Sequence, residues 1–182
     1  EVIVVRYCDD FIVGFQHCQE AKGFLADLHE RLRRFGLELH PDKTRILEFG
    51  RFARENRNRR KEGKPETFNF LGFTHVCRET QKGMFTVFRK TMCTRRQAKL
   101  KEVYQELRRR MHDPVPDQGA YLRSVVGGHF RYYGVPMNGP SLSAFRKEVG
   151  RLWCKVLRRR SHKHRLFWNR MKRLMNRWLP LA

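Results

Sequence analysis

Two carboxylates stand side by side at Asp9 and Asp10, preceded by Tyr7 and Cys8 and set between the apolar runs Val2 to Arg6 and Phe11 to Phe15. Adjacent carboxylates repel each other in water, but together they offer hard oxygen donors to a hard cation such as Mg²⁺. A two-metal clamp of this kind lowers the pKa of an attacking 3′-hydroxyl and neutralises a pyrophosphate leaving group, which is what phosphoryl transfer in a polymerase needs. The clamp also needs rigidity, so the flanking strands are expected to be buried enough to hold it still. The plain alternative is a solvated turn, since Asp is a common turn residue and a Y-x-D-D string alone turns up by chance.

The elements that must position the pair can be read from periodicity. The two β-branched runs predict a hairpin with Tyr7-Cys8-Asp9-Asp10 at its tip. From Glu20 to Phe35 the residues Ala21, Phe24, Leu25, Leu28, Leu32 and Phe35 recur at helical spacing, and Gly36 supplies a stop. Leu37 to Leu39 predicts a short strand, His40-Pro41-Asp42-Lys43 a turn, and Thr44 to Phe49 an alternating strand. Arg51 to Glu66, with the run Arg57-Asn58-Arg59-Arg60-Lys61, reads as an exposed basic loop.

Strand character returns over 68–75 and from Met84 to Arg89, across a turn at Gln81-Lys82-Gly83. Beyond Thr94 the pattern is helical, with helices expected at about 95–112, 118–133, 141–160 and 164–178. The expected fold is therefore α+β: a β-hairpin, helix and short strands over residues 1–90, then an all-α basic region over 91–182.

In this context Arg6-Tyr7-Cys8-Asp9-Asp10-Phe11-Ile12-Val13-Gly14-Phe15 resembles the Y-A-D-D block of bacterial group II intron reverse transcriptases, with Cys8 where that family most often has Ala. Gly36-Leu37-Glu38-Leu39-His40-Pro41-Asp42-Lys43-Thr44 resembles the family's next polymerase block, and Phe68-Asn69-Phe70-Leu71-Gly72-Phe73 its primer-grip block. Leu122 to Pro136 and Trp153 to Ser161 are similar to its thumb or maturase domain X.

The resemblance implies a partial polymerase palm followed by an RNA-gripping thumb. It implies Asp9 and Asp10 as catalytic Mg²⁺ ligands, with Tyr7 and Cys8 beside the primer end and Lys43 near the nucleotide phosphates. Phe70, Leu71 and Gly72 would support the primer backbone. It further implies RNA template, intron RNA, DNA primer and dNTP partners, in a bacterial cytoplasm. The family's fingers and upstream palm, including a strand that delivers a third metal-binding aspartate, have no counterpart here, so the chain is expected to be a fragment that is inactive alone. Glu38 and Asp42 belong to a different block and are not assigned as replacements.

Charge agrees with a polyanionic partner. Lys and Arg outnumber Asp and Glu by 40 to 18; residues 1–50 hold 7 basic and 9 acidic groups (net −2) and residues 51–182 hold 33 and 9 (net +24). Arg59, Arg60, Lys61, Arg109, Arg131, Arg158, Arg159 and Arg160 are candidate phosphate contacts, with Lys163, Arg165, Arg170, Lys172, Arg173 and Arg177 continuing the set. Tyr132 and Tyr133 could stack on unpaired bases. An all-positive helical face with few acids is expected to lack the ion pairing of ordinary solvated helices. Leu152, Trp153, Val156, Leu166, Phe167, Met171, Leu174 and Trp178 read as core stripes of the bundle.

The five scattered cysteines signal neither a disulfide framework nor a zinc site and read as buried thiols in a reducing cytosol. His40, His75, His129, His162 and His164 show no ligand spacing. No apolar run is long enough to span a membrane. Four classes compete: a polymerase of a mobile intron, a non-catalytic RNA-binding maturase, a retron-type enzyme that should lack the domain X match, and a helical DNA-binding regulator that leaves the Y-x-D-D hairpin unexplained.

Overall fold

The computed structural model describes residues 2–160 and 166–181. It is a mixed α+β protein whose contacts fall into two compact units, Glu1–Glu66 and Thr67–Ala182. In the first unit, β1 (Ile3–Tyr7) pairs antiparallel with β2 (Asp10–Gly14), in register from Ile3 opposite Gly14 to Tyr7 opposite Asp10. The loop is therefore Cys8-Asp9 alone, and Cys8 takes a positive φ of 51° to close it.

The hairpin is not buried: Val2, Ile3, Val4 and Val5 are all about half exposed or more. A two-stranded ribbon has no core of its own. The expectation of buried flanking strands is thus not met among the described residues. α1 (Cys18–Arg33) leans on the hairpin through Phe24, whose ring lies 5.3 Å from that of Phe15. Gly36, at φ +68°, ends it, the Leu37 N–H turning back to the Leu32 carbonyl.

Two expectations for this unit are corrected. Residues 37–49 form no strand; the His40 carbonyl accepts from the Lys43 and Thr44 amides, giving the expected turn, but no neighbouring strand supplies a ladder. The expected basic loop contains a helix, α2 (Ala53–Arg59), with Ala53 buried. Ion pairs hold it. Asn56 donates to Glu48 (3.0 Å), Arg60 to Glu48 and to Glu62 (2.9 Å), and Arg57 lies 3.7 and 3.8 Å from Glu62 and Glu66.

The second unit opens with a three-stranded antiparallel sheet in sequential order: β3 (Thr67–Phe70), β4 (Phe73–Glu79) and β5 (Phe85–Thr91). What reads as one strand over 68–75 is a hairpin turning at Leu71 and Gly72, both with positive φ (48° and 78°). Four helices follow: α3 (Cys93–Arg109), α4 (Val115–Tyr133), α5 (Gly139–Arg158) and α6 (Trp168–Trp178). α4 starts before its expected position because Pro116 is tolerated in a first turn, where amides lack partners anyway. Ser161, His162, Lys163, His164 and Arg165 lie outside the described residues.

The core sits between these helices. Val103 and Leu107, Leu122 and Val126, Phe145, Val149, Trp153 and Val156, and Met171 are fully buried. Each large apolar side chain contributes about 1.5–3 kcal/mol by leaving water. Trp153 and Gln118 share a buried polar bridge: the indole N–H donates to Gln118 Oε1 (2.8 Å), and Gln118 Nε2 donates to the Arg110 carbonyl (2.5 Å).

The sheet is fastened to the helices by Asn138, which is fully buried. It accepts from the Thr91 amide (3.1 Å) and donates to Thr91 Oγ1 and the Tyr133 carbonyl (2.8 Å each). This attachment keeps the sheet in one packing unit with the helices, Thr67–Ala182.

The cysteine expectation is corrected in part: all five are free, but Cys8, Cys18 and Cys93 are exposed, Cys77 is intermediate, and Cys154 alone is buried. Among the described residues no helix is long and apolar enough to cross a membrane.

Candidate functional site

The hairpin brings Tyr7, Cys8, Asp9 and Asp10 together at one tip. Tyr7 pairs with Asp10 as the last rung, Asp9 occupies the loop, and Arg6 Nε donates to the Cys8 carbonyl at 3.0 Å, stiffening the turn from within. All four are exposed, Tyr7 by 62%. The donor type suits Mg²⁺, but a two-metal clamp needs more than two carboxylates. Among the described residues no group of three or more His, Cys, Asp or Glu comes together. The described residues at this tip are therefore too few to hold a two-metal clamp by themselves. Lys43 is exposed in the turn after His40, in the same unit.

Phe70, Leu71 and Gly72 belong to the second unit, where their turn sits on α4. The Tyr132 hydroxyl donates to the Leu71 carbonyl (3.1 Å), and a Cβ on Gly72 would come within 3.0 Å of Tyr133 Oη. Gly72 is required twice, by its φ of 78° and by this approach. The tyrosines are already engaged: Tyr133 meets Phe73 edge-on (5.2 Å) and His129 (4.5 Å), and Tyr132 lies parallel to Phe73 at 6.1 Å. Tyr132 still exposes 58% of its surface, enough to offer a ring face, whereas Tyr133 serves packing.

The candidate phosphate contacts separate into held and free side chains, against the expectation of an unpaired basic set. Arg109 donates to Glu106 at 2.9 and 2.7 Å, and with Arg110 it draws the Glu106 carboxyl down to about 2. Arg158 donates twice to the Leu166 carbonyl (3.0 and 2.9 Å), and Arg160 to the carbonyls of Met111 and Asp113. Arg60 is raised above its ordinary value by hydrogen bonds to Glu62 and Glu48. Burial pushes the Glu48 carboxyl up, but Arg60 and Asn56 outweigh it and the net shift is down. Arg59, Lys61, Arg131 and Arg159 are exposed and available.

Of the apolar stripe, Trp153, Val156 and Met171 are core, and Leu152, Leu166, Leu174 and Trp178 pack against it; Phe167 is 67% exposed and is not core. Sequence reading missed Asn138 and Gln118, whose roles depend on partners far along the chain. It also missed the cationic cavity beside Trp168, whose one sequence signal is the run of basic residues at helical spacing in α5.

Residues 1–75 match the model of a family described as reverse transcriptase (RNA-dependent DNA polymerase). The matched stretch holds the Asp9-Asp10 hairpin, both helices of the first unit and the Leu71-Gly72 turn. No curated protein matches the chain. The match makes this stretch similar to RNA-directed DNA polymerases.

Proposed function

We propose that the chain is the part of a bacterial group II intron reverse transcriptase in which the palm (residues 1–90) passes into a thumb and maturase domain (residues 91–182) that binds intron RNA and assists splicing. The observation that carries it is the adjacent carboxylate pair at the hairpin tip, inside the stretch similar to reverse transcriptases. In this reading Asp9 and Asp10 hold Mg²⁺ together with an aspartate from polypeptide outside this sequence. The metal, when bound, supplies charge neutralisation at the reacting phosphate. Tyr7 and Cys8 flank the primer end, Lys43 approaches the incoming nucleotide, and the Phe70-Leu71-Gly72 turn supports the primer. The exposed cations of α4 and α5 bind RNA in the bacterial cytoplasm.

A second reading is a maturase that binds RNA without catalysis, in which Asp9 and Asp10 stand without a third ligand, as they do among the described residues. Primer extension on an RNA template separates the two. The chain is assayed with Mg²⁺ alone and when joined to a fingers and upstream-palm segment of the resembled family. The joined protein is expected to synthesise DNA, and Asp9→Ala or Asp10→Ala to lower the rate on the order of a thousandfold or more. No synthesis in the joined protein, with salt-sensitive RNA binding retained, would leave the maturase reading.

A further inference from the structure

The C-terminal half of α5 carries Arg151, Cys154, Lys155 and Arg158, and Arg159 caps it; at spacings of three and four they share one face. With Trp168, at the start of α6, they line a cavity of about 320 Å³. Four cations this close repel one another, and the chain answers only part of that charge. Arg151 pairs with Glu148, the single acid of α5; Lys155 Nζ sits 5.0 Å from the Tyr104 ring centroid; Arg158 is spent on the Leu166 carbonyl. Arg159 is exposed; its backbone amide donates to the Val156 carbonyl (3.0 Å), and its guanidinium has no partner among the described residues. The cavity therefore keeps a positive excess beside Trp168, with buried Cys154 also in its lining.

These features select among polyanions. A surface that follows a duplex backbone needs point charges along an open face and has no use for a concave aromatic wall. A single strand presents unstacked bases, and an aromatic side chain beside cations is how proteins receive them. The volume lies at the small end of ligand pockets, which begin at roughly 300 Å³. We propose that this cavity takes one unpaired nucleotide of an RNA strand, its base against Trp168 and its phosphodiester on Arg159. This deepens the RNA-binding part of the function proposed above and rests on it.

The test is equilibrium binding of the full chain, without Mg²⁺, to a fluorescent short oligoadenylate at fixed salt. The same-length abasic strand and a blunt RNA duplex are measured beside it. Trp168→Leu is expected to weaken binding of oligoadenylate about tenfold and of the abasic strand and duplex by less than about twofold. Trp168→Phe, which keeps a ring, should restore most of the loss and also guards against a folding artefact.

Arg159→Ala should weaken oligoadenylate and abasic strand alike, by more than Lys172→Ala on the exposed face of α6. The inference is overturned if Trp168→Leu affects all three ligands equally or none, or if Arg159→Ala does no more than Lys172→Ala. Failure of the wild-type chain to bind any RNA would remove this inference and the RNA-binding reading together. DNA synthesis dependent on Asp9 and Asp10 is read in a separate assay, so failure of the polymerase reading leaves this result standing.

Discussion

His129 lies on α4 with its ring stacked on Phe145, centroids 3.7 Å apart and planes within 16°. Only 7% of it is exposed, and its Nε2 has no hydrogen-bond partner among the described residues. Burial pushes its pKa from 6.5 down to about 4, and the nearby charges of Lys99 and Arg96 push the same way. A histidine that stays neutral when folded but charges when unfolded withdraws stability as pH falls. The loss should begin near pH 6.5 and be complete near pH 4. Melting temperature is therefore expected to drop across that window, and to drop less in His129→Phe, which keeps the stack. His75, also pushed down by burial and by Arg89, leaves some slope in the variant. Equal slopes in the two proteins would mean that His129 is not buried neutral.

The crossing of α4 and α6 depends on Gly119. A Cβ there would stand 2.3 Å from Trp178 Cδ2, so the indole lies directly on the backbone of α4. Arg123 fixes it further, its guanidinium 5.1 Å from the ring centroid and donating to the Arg177 carbonyl at 2.8 Å. On helix propensity alone Gly119→Ala would gain about 1 kcal/mol. Overpacking of a ring that cannot bend away costs about 1–3 kcal/mol, and this term should win. The variant is expected to be less stable in urea denaturation and to exchange the amides of α6 faster. A more stable variant would show that α6 can slide on α4 without loss.

Every fully buried large side chain of the described residues belongs to Thr67–Ala182, whereas Ala53 is the one buried residue described in Glu1–Glu66. Large buried side chains carry about 1.5–3 kcal/mol each, so the two units differ greatly in local stability. Trypsin acting on the chain free of nucleic acid should cut first within residues 1–66, which are rich in exposed arginine. A resistant product beginning near Thr67 should accumulate, identified by mass. Cleavage of both units at similar rates would contradict this. At this scale the charge split also matters, because the unit with the core is the unit with the excess of cations.

Whatever depends on neighbours in sequence was legible in advance. α1 and α3 to α6 follow from apolar spacing and from Gly and Pro punctuation, and the Asp9-Asp10 tip follows from two β-branched runs around a short polar interval. These signals are local, so they survive without knowledge of the fold. What joins distant residues was not legible. α2 forms in an almost wholly polar stretch because Glu48, Glu62 and Glu66 reach its arginines. Leu37 to Leu39 and Thr44 to Phe49 have strand composition but no ladder to join. Composition made α3 to α6 basic, but only tertiary structure decided that Arg158 and Arg160 hold carbonyls while the Arg159 guanidinium has no partner among the described residues. A side chain's availability is set by what the fold places within hydrogen-bonding distance, and sequence spacing does not carry that distance.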